Sequence, residues 1–193
     1  MIDEKPVRAF LAIEIPPEIL NEIKIIQNRL RNTLQGMIGW VKPEAIHLTL
    51  KFFGALSAQE IAEISQVMEG HVMGIGPFSL EVKKLGVFPN MSRPRVLWFG
   101  ISGDVDPLTG FQRAMDQKLY ACGFEIEKRL FRPHLTLARI KEQKGVVGLT
   151  KIIEKGDYVT AGNFYARELI LFRSELTPKG AIYTKLACFR FSG

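Results

Sequence analysis

Two identical tetrapeptides, each beginning with histidine, are the part of this sequence best suited to chemistry. The chain has three histidines, and two of them start the sequence His-Leu-Thr-Leu, at His47 and at His134. Successive side chains of a β-strand point to opposite faces. His47 and Thr49 therefore share one face, as do His134 and Thr136, while the leucines point to the other. We expect each strand to present an imidazole beside a hydroxyl.

This combination suits the cleavage of a phosphate ester by a general acid and a general base. Histidine has a pKa of about 6.5, so one imidazole can accept a proton while the other donates one. Threonine hydroxyls can bind the non-bridging phosphate oxygens, where negative charge must be held in the transition state. If the two strands face one cavity, the histidines lie close enough to share one phosphate.

Metal binding is the other chemistry open to paired histidines, but its usual companions are missing from the sequence. Neither motif contains an acidic residue, and there is no His-x-x-x-His spacing. Cys122 and Cys188 are far apart, so neither a zinc site nor a disulfide framework is indicated. The glycine-rich phosphate loop of nucleoside triphosphatases is also absent from the sequence. We therefore expect neither a metal nor another cofactor.

The elements that must position the motifs follow a repeated plan. Each half of the chain has the predicted order β-α-β-α-β. The first motif falls in a predicted strand over Ala45–Phe53, and the second begins one residue before a predicted strand over Leu135–Ile140, each after a strand and a helix. A duplicated unit typically forms two lobes with a cleft between them. We predict an α+β fold of two pseudo-symmetric lobes, with antiparallel sheets around a central cleft, in one domain over residues 1–193.

The composition is that of an ordinary globular protein. The 193 residues include 26 basic and 20 acidic ones, a net charge of +6, and 47% are hydrophobic. These values exclude a disordered or collagen-like chain, and the basic excess favours an anionic partner. No apolar run is long enough to cross a bilayer, and no signal-peptide pattern begins the sequence. We therefore expect a cytoplasmic protein without membrane contacts.

The sequence resembles the 2H phosphoesterase superfamily, which is named for two H-x-T/S-x motifs. Within it, the chain is similar to the RNA 2′,3′-cyclic phosphodiesterases, also called the LigT-type or 2′-5′ RNA ligase family. The resemblance spans nearly the whole chain. It is carried by Arg8–Pro16 (RAFLAIEIP), Ile46–Gly54 (IHLTLKFFG), Pro94–Trp98 (PRVLW), Arg132–Arg139 (RPHLTLAR) and Ser174–Leu186 (SELTPKGAIYTKL).

The resemblance implies an activity and roles for individual residues. The activity is hydrolysis of RNA 2′,3′-cyclic phosphate ends to 2′-phosphomonoesters, with weak ATP-independent 2′-5′ ligation of tRNA halves. His47 is implied as the proton donor and His134 as the proton acceptor, without metal or nucleotide cofactor. Arg139 is implied to contact the phosphate, although strict alternation directs its side chain away from His134 unless the strand bends near Ala138.

Alternation adds two further candidate cations for substrate binding. Lys51 shares a face with His47 and Thr49, and Arg132 shares one with His134. Both are predicted to contact substrate, with a solvated surface charge as the alternative for each. Nearby cations would also lower the pKa of His134, as a base requires. Lys51 would act on His47 in the same direction.

Two other functions stay open at this point. A related 2H enzyme that acts on small cyclic nucleotides, such as ADP-ribose 1″,2″-cyclic phosphate, would carry the same motifs. A non-catalytic nucleotide- or RNA-binding module on the same fold would not need two proton-transfer groups. We expect a monomer whose partner is RNA with cyclic phosphate ends, including tRNA halves.

Overall fold

Nine strands and four α-helices make up the fold, as given by a computed structural model that describes residues 5–141, 146–155, 159–178 and 180–193. The strands are β1 (Val7–Glu14), β2 (Ile38–Trp40), β3 (His47–Leu56), β4 (Phe78–Phe88), β5 (Val96–Gly103), β6 (His134–Ile140), β7 (Thr160–Ala166), β8 (Glu168–Thr177) and β9 (Gly180–Arg190). The helices are α1 (Pro17–Thr33), α2 (Ala58–Val72), α3 (Val105–Ala121) and α4 (Leu149–Lys155). None of these helices has the length and apolar character needed to cross a bilayer.

The first two helices begin at signals that are local in the sequence. Pro17 lies in the first turn of α1, where its missing N–H costs no helical hydrogen bond. Ser57 caps α2 by accepting the backbone N–H of Glu60, and the Glu60 carboxylate accepts the N–H of Ser57 in return. Along α1, apolar residues such as Ile19 and Ile23 recur every three or four positions and form its buried stripe.

All nine strands of the described chain belong to one curled antiparallel sheet that forms a half-barrel. Their order is β7-β4-β5-β6-β3-β1-β8-β9, with β2 beside β6. The two motif strands, β3 and β6, are neighbours at the centre. Each pairs on its outer side with the first strand of its own half of the chain, β3 with β1 and β6 with β5. The predicted α+β class with two pseudo-symmetric lobes is confirmed.

The lobes exchange their outer strands, which the order of predicted elements does not reveal. The first lobe contains β3, β1, β8 and β9, and the second contains β6, β5, β4 and β7. Strand β4 follows the first motif in the chain but pairs with β5 of the second lobe. Strand β8 comes late in the chain but pairs with β1. The first half of the chain therefore supplies β4 to the second lobe, and the second half supplies β8 and β9 to the first.

The two faces of the sheet carry different apolar clusters. Towards the helices lies the main core, which includes Leu11 and Ile13 of β1 and the fully buried Leu48 and Leu135 of the motif strands. On the opposite face, a smaller cluster contains Phe10, Ala12, Ile170 and Phe172. Alternation along β1 separates the two clusters. We call the faces the helical face and the motif face, because the second one carries both motif histidines.

Candidate active site

The two motifs meet at the centre of the sheet. Strands β3 and β6 are antiparallel, and Leu48 pairs directly with Leu135. Both leucines are fully buried on the helical face, so the residues on either side of them lie on the motif face. The antiparallel register directs His47 towards Thr136 and His134 towards Thr49. The four motif side chains predicted from the sequence thus lie together in one region.

His47 lies among aromatic rings of the first lobe. Its ring stacks on Phe10, with centroids 4.6 Å apart, and meets the edge of Tyr183 at 5.1 Å. The ring centroid of Phe172 lies 6.4 Å from that of His47. Burial lowers the pKa of His47 to about 4, although the hydrogen bond with the Ala45 carbonyl acts to raise it. In the ligand-free protein at neutral pH, His47 is therefore uncharged.

His134 has a similar but more open aromatic environment in the second lobe. Phe88 meets its ring edge-on, with centroids 4.9 Å apart, and Trp98 lies at 6.5 Å. Burial lowers the pKa of His134 as well, while its hydrogen bond with the Arg132 carbonyl acts in the opposite direction. Burial, and not the neighbouring cations suggested by the sequence, is the cause of the shift at both histidines.

The two imidazoles are held in the same tautomer by equivalent hydrogen bonds. Nδ1 of His47 lies 2.9 Å from the Ala45 carbonyl oxygen, and Nδ1 of His134 lies 2.7 Å from that of Arg132. A carbonyl oxygen can only accept, so Nδ1 carries the hydrogen in both rings. Nε2 is then the nitrogen that can accept a proton. The side chain of Arg132 is exposed, and its carbonyl is the group that bonds to the histidine.

Each motif strand contains a β-bulge at the third residue after the histidine. In the pairing of β3 with β1, Leu50 is an extra residue between Thr49 and Lys51. In the pairing of β6 with β5, Leu137 is the equivalent extra residue. A bulge places two consecutive side chains on one face and so reverses the alternation beyond it. Beyond Leu50 and Leu137, side chains therefore lie on the face opposite to the one that strict alternation predicts.

The prediction that Lys51 shares the face of the motif histidine is wrong, because the Leu50 bulge turns it to the helical face. Lys51 is 5% exposed and forms an ion pair with Asp116 of α3. Its ammonium also donates to the carbonyl of Glu125 at 2.6 Å, and Asp116 accepts the backbone N–H of Glu127 at 2.9 Å. Lys51 thus anchors the segment that leads to the second motif.

The Leu137 bulge has the opposite consequence for Arg139, which it returns to the face of His134. A phosphate contact by Arg139 required the strand to depart from strict alternation near Ala138, and the bulge provides this departure. The Arg139 side chain is exposed. Burial raises the pKa of Tyr183, and the charge of Arg139 lowers it. Arg139 of the second lobe therefore acts electrostatically on Tyr183 of the first lobe, whose ring contacts that of His47.

The lobes differ at the position that follows each bulge. Phe52 is the second residue after the bulge in β3, as Arg139 is in β6. Phe52 is 65% exposed, and its ring centroid lies 5.4 Å from that of Phe10. The motif face therefore has a cation on one side of the histidines and an exposed aromatic ring on the other. Such a pair suits a ligand that has both a phosphate and a base.

Comparison with known proteins assigns the chain to a family. The sequence model of the LigT like phosphoesterase family matches residues 13–98 and 100–183. The chain belongs to this family. The RNA 2′,3′-cyclic phosphodiesterase of Methanothermobacter thermautotrophicus is 35% identical over 184 residues, which cover 95% of this chain and 98% of the relative. The enzyme of the same name from Aquifex aeolicus is 34% identical over 192 residues, 98% of this chain and 100% of the relative.

Solved structures agree with this assignment. TT0787 of Thermus thermophilus has a TM-score of 0.75 and 28% sequence identity, with 96% of this chain and 98% of that chain covered. Escherichia coli LigT in its apo form also has a TM-score of 0.75, at 23% identity, with 98% and 100% covered. The second likeness shows the shared fold.

A carboxylate beside the first motif of this LigT-like phosphoesterase is already paired. Glu14 lies opposite His47 in the ladder between β1 and β3, and its carboxylate binds Lys185 at 2.6 Å. In the described ranges of the chain, no three side chains of histidine, cysteine, aspartate or glutamate lie close enough together to hold a metal ion.

The aromatic walls of the site were missed by the sequence reasoning. Phe10, Tyr183, Phe88 and Trp98 come from four different strands and surround the two histidines. The chain has 13 phenylalanines, and no local pattern separates a ring beside a histidine from a ring in the core. Phe10 lies between core residues of β1, so alternation directs its ring to the opposite face of the sheet. This is the one signal that the sequence offers for it.

Proposed function

We propose that this LigT-like phosphoesterase hydrolyses RNA 2′,3′-cyclic phosphate ends to 2′-phosphomonoesters by acid–base catalysis with two histidines. The observation that carries the proposal is the pairing of the two His-Leu-Thr-Leu strands, with each Nδ1 bound to a backbone carbonyl. The RNA substrate is supported by relatives named RNA 2′,3′-cyclic phosphodiesterase at 35% identity and by the net charge of +6.

In the proposed reaction, Nε2 of His134 accepts a proton from a water molecule as the water oxygen attacks phosphorus. The bond between phosphorus and O3′ breaks, and the protonated Nε2 of His47 gives its proton to O3′. The phosphate remains on O2′. His134 leaves the step protonated and His47 neutral, and exchange with solvent restores both.

The donor role makes one demand on His47. Its pKa is about 4 in the ligand-free protein, so the ring must gain a proton as substrate binds. A bound phosphate anion supplies the reason, because a nearby negative charge raises the pKa of a histidine. At neutral pH, the acid is thus charged when a phosphate occupies the site.

The remaining site residues act on the phosphate and the base in this proposal. The hydroxyls of Thr49 and Thr136 donate hydrogen bonds to non-bridging phosphate oxygens, and Arg139 pairs with the same charge through its planar guanidinium. Phe52 offers a stacking surface to a base of the RNA. Since the arginine and the phenylalanine occupy equivalent positions in the two lobes, the substrate binds in one orientation.

Ligation uses the same groups when an RNA hydroxyl replaces water. His134 accepts the proton of the hydroxyl, whose oxygen attacks the cyclic phosphate, and His47 again protonates O3′. The product is a 2′-5′ linkage, and no ATP is needed because the strained cyclic ester supplies the energy. tRNA halves are the proposed substrates.

The experiment compares three substrates at equal enzyme concentration. They are an oligoribonucleotide with a 2′,3′-cyclic phosphate end, the corresponding mononucleotide, and ADP-ribose 1″,2″-cyclic phosphate. We expect the highest kcat/KM for the oligoribonucleotide and a product with its phosphate on O2′, identified by ³¹P NMR. A preference for the ADP-ribose compound would support the small-nucleotide alternative. Tight RNA binding without turnover would support the non-catalytic alternative.

We further propose that residues 1–193 act as one bilobal domain, as a monomer and in the cytoplasm. The pairing of both lobes into one sheet supports a single unit. Light scattering on the purified protein tests the monomer, and a mass near twice 21.8 kDa would contradict it.

A further inference from the structure

Two buried glutamines hold the bulges of the motif strands. Gln27 of α1 is 1% exposed, and its Nε2 donates to the carbonyls of Leu137 and Val41, each at 3.0 Å. Gln112 of α3 is 4% exposed, and its Nε2 donates to the carbonyl of Leu50 at 3.3 Å. The accepting residues Leu137 and Leu50 are the extra residues of the two bulges.

The two contacts cross between the lobes. Helix α1 follows β1, which pairs with β3, yet Gln27 binds β6. Helix α3 follows β5, which pairs with β6, yet Gln112 binds β3. Each half of the chain therefore braces the motif strand of the other half, at equivalent positions. The same kind of contact therefore supports the bulge of each motif strand.

The chemistry of a bulge explains the choice of glutamine. The extra residue interrupts the ladder, so its backbone groups need other partners. An uncharged amide has two N–H donors and reaches a buried carbonyl without bringing a charge into the core. The Leu137 carbonyl also accepts the backbone N–H of Val41 at 2.9 Å, just beyond the end of β2, and the Gln27 amide donates to the carbonyls of both residues. The bulge in β6 is thus fastened to a neighbouring segment as well as to α1.

We propose that Gln27 is a positioning residue that sets the direction of Arg139 in this phosphoesterase. The bulge at Leu137 is what brings Arg139 to the motif face, since a strand without it would direct that side chain to the helical face. Gln27 stabilises the bulge without touching substrate. The inference rests on the proposed function, in which Arg139 holds the phosphate. It adds a buried residue of helix α1 to the groups that support phosphate binding.

The test is a double-mutant cycle between Gln27 and Arg139. Gln27→Met, Arg139→Gln and the double variant are compared for kcat and KM on cyclic-phosphate RNA, and for the Kd of uridine 2′-monophosphate by calorimetry. If Gln27 acts through the guanidinium, Gln27→Met weakens phosphate binding on the order of tenfold in the wild-type background. The same substitution changes the Kd less than about twofold once Arg139 is replaced.

Gln112→Met is the matched control, because it removes the equivalent contact in the other lobe. Its effect on the Kd is expected to be the same with and without Arg139. Where Gln27→Met fails to fold, Gln27→Asn takes its place, since the shorter side chain keeps an amide that cannot reach Leu137. The same Arg139-dependent loss is expected for it.

An equal loss of affinity in both backgrounds would overturn the proposal, because Gln27 would then support only the fold. The double-mutant cycle is measured on the Kd of uridine 2′-monophosphate, so its result does not depend on turnover. A wild-type protein that binds this nucleotide but does not hydrolyse the cyclic phosphate would contradict the proposed function alone, while the cycle would still decide the role of Gln27.

Discussion

Leu48 and Leu135 form a direct pair between the two motif strands, and both side chains are fully buried on the helical face. This pair makes the relative position of the two histidines depend on a single strand register. A slip of one residue in either strand would turn a leucine out of the core and a histidine into it. The packing of the leucines therefore keeps both imidazoles on the motif face.

Replacing either motif histidine by alanine is expected to reduce kcat about 10²–10⁴-fold, the cost of losing one acid–base group. Steady-state kinetics on cyclic-phosphate RNA measure the loss. His71→Gln is the control, because His71 lies on α2 with its Nε2 on the Phe111 carbonyl, and this variant should keep its activity. A loss of less than about tenfold for His47→Ala or His134→Ala would contradict the two-histidine mechanism.

The direction of proton transfer can be tested with a substrate whose O3′ is replaced by sulfur. A thiolate leaves with little protonation, so this substrate should largely restore turnover to the variant that lacks the acid. We expect rescue of His47→Ala and not of His134→Ala. The reverse pattern would exchange the two roles without changing the class of enzyme.

Burial of His47 predicts that folding stability depends on pH. The unfolded chain protonates this histidine near 6.5 and the folded protein only near 4. Between these values the unfolded state binds more protons, so the free energy of unfolding falls as the pH decreases from about 6.5 to about 4. The contribution is roughly 3 kcal/mol at most.

Urea unfolding of the wild type and of His47→Gln at several pH values measures this contribution. The variant should lose less stability on acidification than the wild type, because glutamine does not titrate. An identical pH dependence for the two proteins would show that the burial of His47 has no such effect.

The ion pair between Lys51 and Asp116 predicts a structural role for that lysine. Lys51→Met leaves a buried carboxylate without its cation and should lower the free energy of unfolding by about 3–5 kcal/mol. Adding Asp116→Asn should restore part of the loss, since a neutral amide oxygen still accepts the N–H of Glu127. Urea unfolding measures both, and KM on the fraction that stays folded should be unchanged. A raised KM with normal stability would instead indicate contact with substrate.

Independence from metal ions is tested by chelation. The proposed chemistry uses two imidazoles, and hydrolysis should continue at an unchanged rate after dialysis against excess EDTA. Complete loss of activity that a divalent cation restores would contradict the acid–base assignment. Unfolding measured on the same sample separates loss of catalysis from loss of structure.

Much of the site could be read from the sequence because its motif residues follow a local rule. Alternation of side chains is imposed on any extended chain, so the sequence alone places His47 and Thr49 on one face. The same rule applied to the second motif, and the repeat of the motif indicated two similar lobes. The α+β class and the family resemblance followed from these residues.

Beyond the motifs, only the tertiary structure decided where side chains point. A bulge exists only relative to a partner strand, and the partners of β3 and β6 lie elsewhere in the chain. The sequence offers a weak sign of it in the consecutive apolar residues Leu137 and Ala138, but in β3 the equivalent position is a lysine. Local alternation therefore predicted the wrong face for Lys51 and, taken strictly, for Arg139. The exchange of outer strands and the rings around each histidine have the same origin, because contacts between residues distant in the chain are determined by packing.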